Sequence, residues 1–164
     1  MNSIVVYGSR TGNTQKVAAA IAGVLRQRGG VRLLPAEDAA AAVPHPGDLL
    51  VVGGPTEGHT MTPAVREYLD AAGANGLRGV AAAAFDTRVD WPRWLSGSAA
   101  AAIATRLRRL GASVIVPEGS FIVTMKGPAL EPGELERAAA WAAALADAAT
   151  AALAPRATAG GTAR

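Results

Sequence analysis

Ile4-Val5-Val6-Tyr7 is an uninterrupted apolar run too short for a helix, and beyond Gly8-Ser9-Arg10-Thr11-Gly12 the apolar positions switch to helical spacing at Val17, Ile21 and Val24-Leu25. That change of period predicts a strand, a turn and a helix in that order. Gly29-Gly30 stops the helix. Val31 to Leu34 reads as a second strand, and the turn Pro44-His45-Pro46-Gly47 leads into a third, Leu49 to Val52, which is entirely apolar. Thr62 to Ala72 has helical spacing at Val65, Tyr68 and Leu69, with Pro63 suited to a first turn, and Val80 to Phe85 supplies a fourth strand. A helix over Ser98 to Leu110, closed by Gly111, is followed by strand pieces at Ser113 to Val116 and Phe121 to Thr124. A long helix from Glu134 to Leu153 completes the pattern.

Strands that are apolar on both faces and alternate with helices predict an α/β fold with a parallel sheet covered on two sides. Only a doubly covered strand escapes the polar alternation of a solvated face. Five strands fit a doubly wound open sheet. In such sheets ligands bind beyond the carboxyl ends of the strands, so the loops after Tyr7, Val52 and Phe85 carry the functional interest.

Composition narrows the chemistry. With 164 residues, half of them apolar, the chain is expected to form one domain over residues 1–153, and the Ala/Gly/Thr-rich stretch 154–164 is expected to be a disordered tail. Neither a signal peptide nor a membrane span is indicated, and a cytoplasmic location is expected. The absence of cysteine excludes disulfides, cysteine-ligated clusters and thiol nucleophiles, so redox chemistry requires a bound cofactor. The net charge of +3 is carried largely by arginines near predicted helix ends, such as Arg26 with Arg28 and Arg106 with Arg108 and Arg109. These read as solvated faces and helix C-terminal charge. With few aromatic residues and no recognition helix, a nucleic-acid partner is not expected.

The turn Gly8-Ser9-Arg10-Thr11-Gly12-Asn13-Thr14 joins a strand to a helix through small hydroxyl residues and glycines, so that its backbone N–H groups converge at a helix N-terminus. It has neither the lysine of a nucleoside-triphosphate loop nor the G-x-G-x-x-G spacing of a dinucleotide loop. A terminal monophosphate suits it better, with hydroxyls from Ser9, Thr11 and Thr14 as neutral donors. Arg10 either pairs with that phosphate or points into solvent. The same features also fit a capped helix with a tight turn and no ligand.

Val5 to Ile21, read through Tyr7-Gly8-Ser9-Arg10-Thr11-Gly12-Asn13-Thr14-Gln15-Lys16, resembles the flavodoxin signature position by position. The resemblance extends to Gly53-Gly54-Pro55-Thr56-Glu57-Gly58-His59 and to Phe85-Asp86-Thr87-Arg88, where flavodoxins carry their two ring-contacting loops, and covers roughly residues 3–153. It implies a flavodoxin-like five-stranded sheet of order 2-1-3-4-5 with helices on both faces. It also implies FMN, with its phosphate on Ser9, Arg10, Thr11, Gly12, Asn13 and Thr14 and its ring between the later loops. Pro55, Thr56, Glu57, Gly58 and His59 would meet the flavin edge, and Gly58 has the freedom to let a peptide turn toward flavin N5. Phe85, Asp86, Thr87 and Arg88 would reach the pyrimidine edge and ribityl chain, although Asp86 and Arg88 can equally pair with each other. Trp91 and Trp94 are the candidates to cover the ring, with pinning of the loop to the core as the alternative. Trp141 reads as core.

His45 and His59 have no metal-ligand company, and no Ser/His/Asp arrangement assembles, so no metal and no separate catalytic side chain are expected. The functional expectation is an FMN redox protein that exchanges electrons with a partner protein or a small-molecule acceptor. An FMN-dependent quinone or porphyrinogen oxidoreductase is one alternative, and a flavin-free binding or regulatory module of the same fold is another. Carriers of the resembled family are typically acidic, whereas this chain is basic. A response-regulator receiver is disfavoured because Gly8-Ser9 and Gly53-Gly54 stand where acidic residues would be needed.

Overall fold

A computed structural model describes residues 1–154 of the chain. The tail expected at 154–164 lies outside the described residues from 155 onward. Within them the elements run β1 (Ser3–Tyr7), α1 (Asn13–Leu25), β2 (Val31–Pro35), β3 (Leu49–Pro55), α2 (Pro63–Ala72), β4 (Ala81–Val89), the short α3 (Arg93–Ser96), α4 (Ala99–Arg109), β5 (Ser113–Val114), β6 (Gly119–Val123) and α5 (Glu134–Ala152).

The sheet is parallel, in the order β2-β1-β3-β4, with β5 and β6 following one another along the far edge of β4. The fifth position is therefore one strand broken in two. Ala82 pairs with Val114 and Phe85 with Gly119, so the edge chain carries two more residues than β4 between those points and bulges out over Ile115–Glu118. The strand pieces expected at 113–116 and 121–124 fall on these two segments, and the strand order is the expected one.

Alternation along each strand sorts its side chains between two cores. Val5, Val51, Ala81, Ala83 and Phe85 face α1 and α5, where Phe85, Phe121 and Trp141 meet edge-on or tilted at centroid distances of 6.4 Å. Ile4, Val6, Val52, Ala82 and Ala84 face α2 and α4. Trp141 is only half-buried, and its Nε1–H donates to the Pro117 carbonyl at 3.0 Å, so it closes the edge of the core and ties down the bulge. Tyr68 is buried on the other side with its hydroxyl donating to the Ala42 carbonyl at 3.0 Å. Burial pushes its pKa well up, against a weaker opposing pull from Arg32.

Two strands run further than their apolar runs foretell. β3 continues through Gly53-Gly54-Pro55, which pair with Phe85, Asp86 and Thr87 of β4, and glycine stands at 53 because a Cβ there would collide with the Phe85 ring that lies across it. β4 continues through Asp86, Thr87, Arg88 and Val89, residues whose polarity reads as loop. Strand parity decides where these go. Asp86 points with Ala82 and Ala84 toward α4, and Thr87 points with Ala83 and Phe85 toward α1.

Candidate functional site

α1 begins where β1 ends, and its N-terminus lies at the carboxyl edge of the sheet. The helix is capped by Gly12 at φ 85°, a left-handed conformation that favours glycine by backbone strain alone, since nothing lies within 4 Å of a Cβ built there. No side chain caps the helix. The N–H groups of its first turn have no partner within the helix by construction, which leaves them available to an anion. Around them, the Ser9 hydroxyl accepts from the Gly12 N–H at 3.1 Å, closing the turn. Asn13 Nδ2 donates to Thr11 Oγ1 at 3.2 Å and to the Pro128 carbonyl at 2.9 Å, which ties the turn to the loop after β6. Buried Thr14 shares a 2.7 Å hydroxyl contact with Thr87. Arg10 is 76% exposed and reaches Glu57 at 3.5 Å, so it spans from the turn to the next loop and does not fold over the turn itself.

That next loop, after β3, is a tight hairpin. Glu57 and Thr60 exchange both backbone hydrogen bonds at 3.0 Å, and the two residues between them, Gly58 and His59, have φ of 51° and 71°. Two consecutive positive φ values are what a type I′ turn demands. A parallel bridge between His59 and Gly97 holds the hairpin against the segment leading into α4.

α4 starts in a different way. The Ser98 hydroxyl accepts from the Ala101 N–H at 3.2 Å, Thr56 Oγ1 from the Ala99 N–H at 2.9 Å, and Asp86 Oδ2 from the Ala100 N–H at 3.0 Å. Asp86 is fully buried, and the same oxygen accepts from the Ser98 hydroxyl at 2.8 Å and the Thr56 hydroxyl at 3.2 Å, while Oδ1 accepts from Ser120 Oγ at 2.6 Å. Ser120 in turn accepts from Arg88 Nε at 2.8 Å. Arg88 Nη1 donates to the carbonyls of Val89 at 3.1 Å and Trp91 at 2.8 Å. Asp86 and Arg88 thus communicate through Ser120 and make no direct pair.

Between these loops lies an open cleft of about 360 Å³, within the range small-molecule sites occupy. Of the residues singled out from the sequence, Thr11, Asn13, Pro55, Thr56, Glu57, Gly58, His59, Thr87, Arg88 and Trp91 line it. Ser9, Arg10, Gly12 and Thr14 belong to the turn at its edge. Phe85 and Asp86 do not reach it: Phe85 is sealed in the aromatic core, and every oxygen of Asp86 is spent on β6, α4 and Thr56. Trp94 does not line it either and stands 84% exposed on α3, whereas its neighbours Leu95 and Ser96 do face the cleft. The sequence reading missed Val89, Leu95, Ser96, Val123 and Pro128. For Val123 and Pro128 the signal was present, because the loop after the fifth strand also lies at the carboxyl edge of the sheet. Among the described residues there is no cluster of three or more His, Asp or Glu placed to hold a metal, and no helix is long and apolar enough to cross a membrane.

Comparison with known proteins agrees with this layout. A family model described as a flavodoxin domain matches residues 4–86. No curated protein matches the chain by sequence. Among solved structures, a flavodoxin from the domain Archaea superposes with a TM-score of 0.71 at 22% identity, covering 92% of this chain and 99% of the other. Oxidised Flavodoxin 2 from Bacillus cereus gives 0.72 at 20% identity, with 90% and 99% covered. The flavodiiron protein from Giardia intestinalis gives 0.70 at 24% identity over 93% of this chain but only 37% of its own.

Proposed function

The chain belongs to the flavodoxin domain family, and from that premise we propose that its cleft binds FMN and that the protein is a redox carrier working through that flavin. The observation that carries this reading is the N-terminus of α1 without a side-chain cap, set at the edge of an open cleft built from the loops after β1, β3, β4 and β6. A scaffold with no anion to hold would gain by capping that helix with one of the hydroxyls already beside it. Gly12 at φ 85° instead leads into the helix with no side chain on the first-turn N–H groups, and an αR–αL turn of this kind can form an anion-binding concavity.

The residues present fit the cofactor. The first-turn N–H groups of α1, with the hydroxyls of Thr11 and Thr14, would hold the phosphate. Thr14 retains the capacity to donate, because Thr87 can supply the proton of their shared contact. Thr56 to His59 and Thr87 would meet the polar edge of the ring, and Trp91, fixed through its carbonyl by Arg88, would cover an apolar face. Bound FMN supplies one- and two-electron chemistry that no side chain here can provide. The protein's contribution is to bind it, orient it and set the polarity around it.

The visible absorption spectrum of the purified protein tests this directly, with release and identification of any flavin. A yellow protein yielding FMN is the expected result; a colourless protein that takes up no added FMN would overturn the reading in favour of a flavin-free binding module. Carrier and enzyme separate in a second assay. Turnover of NAD(P)H with a quinone and no added reductase would make the protein an oxidoreductase in its own right, whereas reduction only through another protein supports the carrier.

A further inference from the structure

Leu95 and Trp91 line the cleft and are themselves 46% and 43% exposed; Trp94, beside Leu95 in the chain, is 84% exposed, and Met125, in the loop between the cleft-lining Val123 and Pro128, is 66% exposed. These four are most of the large apolar side chains that reach solvent among the described residues, and they come from two loops that meet at one site, the α3 segment and the loop after β6. Scattered exposed apolar residues need no explanation. A cluster at the mouth of a binding cleft does.

The charge around it is net basic. Within two chain positions of the residues lining the cleft, the charged side chains that reach solvent are Arg10, Arg88, Arg93 and Lys126 on one side and Glu57 and Asp90 on the other. Glu57 is already paired with Arg10. Arg88 is held by Ser120 and the Val89 and Trp91 carbonyls, so what remains presented outward is an apolar centre rimmed by Arg93 and Lys126 against Asp90, a net positive edge. That is the anatomy of a protein interface, apolar in the middle and polar at the edge, and its charge selects for the complement.

Resting on the redox reading above, we propose that the surface formed by Trp91, Trp94, Leu95 and Met125, rimmed by Arg93 and Lys126, is where an acidic redox protein docks against the flavin cleft. Opposite charge steers the encounter, and the exposed apolar side chains supply the short-range contact that holds it. Trp94 makes no use of its ring inside the chain. In the complex it becomes the most buried aromatic anchor of the patch.

The test is a titration of the FMN-loaded protein with two haem proteins, an acidic b-type cytochrome and a basic c-type cytochrome, each read by quenching of tryptophan emission. The acidic protein is expected to bind, with affinity falling about tenfold or more as salt rises from roughly 0.02 to 0.2 M, and the basic one is not. Replacing Arg93→Glu and Lys126→Glu together should weaken acidic binding by about tenfold or more while the flavin spectrum is kept. Arg26→Glu with Arg78→Glu removes the same charge from the opposite end of the sheet and should change affinity no more than about threefold. Trp94→Ser, read by calorimetry, should weaken binding without changing its salt dependence. Equal losses from the two charge pairs, tighter binding of the basic cytochrome, or a dimer of this chain that Trp94→Ser dissolves would each overturn the proposal. A yellow protein that docks neither cytochrome sinks the surface and leaves the FMN reading standing; a colourless protein that still binds the acidic one does the reverse.

Discussion

Among the helices that start at the carboxyl edge of this sheet, α1 and α4 start in opposite ways. α4 opens with the N–H groups of Ala99, Ala100 and Ala101 each taken by a side-chain oxygen, from Thr56, Asp86 and Ser98. α1 opens on Gly12 with no side-chain cap, although hydroxyl and amide side chains stand in the turn: Ser9 accepts from the Gly12 N–H, and Asn13 donates to Thr11 and to the Pro128 carbonyl. Both ends carry the same partial positive charge from aligned peptides. The difference is that one is neutralised from within the chain and the other is left for something outside it. α2 and α5 also lack a side-chain cap, so what sets α1 apart is that its turn borders the cleft.

The most severe way to break this contrast is at Asp86. Asp86→Ala would leave the Ala100 N–H and the hydroxyls of Ser98, Thr56 and Ser120 short of a buried acceptor, at a cost of about 3 kcal/mol or more. Urea unfolding should show it as a lowered midpoint. If Asp86 touched the cofactor and held nothing together, flavin affinity would fall while the midpoint stayed where it was.

Gly12→Ala attacks the open end. The left-handed φ costs the substituted residue about 1–2 kcal/mol, and relief of that strain rotates the first-turn N–H groups away from a common target. Flavin affinity is therefore expected to fall about tenfold, a loss of roughly 1.4 kcal/mol, more than the hydroxyl substitution Thr11→Val produces. Equal affinities for the parent and Gly12→Ala, measured by fluorescence titration of the flavin-free protein, would mean the turn is a structural cap after all.

Much of this division was legible in the sequence, and its failures have one cause. The run Ile4–Tyr7 followed by the hydroxyl-rich turn and the helical period through Leu25 is local information, because strand, turn and helix are consecutive and each is set by its own residues. The strand order followed from the resemblance that this segment carries. Asp86-Thr87-Arg88 was assigned to a cofactor loop because three polar residues after an apolar run look like the end of a strand. They continue the strand because their partners are Thr14, Thr56, Ser98 and Ser120, brought in from four other parts of the chain. Nothing in the order of residues near position 86 announces them. Trp91 and Trp94 were indistinguishable for the same reason: one is anchored by Arg88 at the cleft and the other stands on α3 facing solvent, and only the fold separates them.

Thr14 and Thr87 join the two regions, since their hydroxyls meet at 2.7 Å between the open turn and the strand that feeds α4. Thr87→Val should cost about 1 kcal/mol by leaving the Thr14 hydroxyl buried without a partner, and adding Thr14→Val should recover part of that loss. The flavin data should not follow the same cycle. If the Thr14 hydroxyl also serves the phosphate, affinity drops with Thr14→Val and stays low in the double variant, whereas stability recovers; a double variant that regains both would assign the pair to packing alone.

The smallest effect on stability is expected at Gly58, at the tip of the hairpin that faces the cleft. Its φ of 51° lies nearer the left-handed minimum than Gly12 at 85°, and nothing lies within 4 Å of a Cβ there, so Gly58→Ala should cost about 1 kcal/mol, the low end of the left-handed penalty. The consequence lies in the flavin. His59 follows at φ 71°, an uncommon conformation for a residue with a side chain. Rotation of the Gly58–His59 peptide, which converts a type I′ turn into type II′, would relieve it while Gly58 keeps its positive φ. A Cβ at position 58 alters the balance between those two turns, and with it which peptide group, carbonyl or N–H, is presented to the cleft. The separation between the two one-electron potentials of the bound flavin should therefore change in Gly58→Ala, and a redox titration superimposable on that of the parent would reduce the hairpin to a fixed turn.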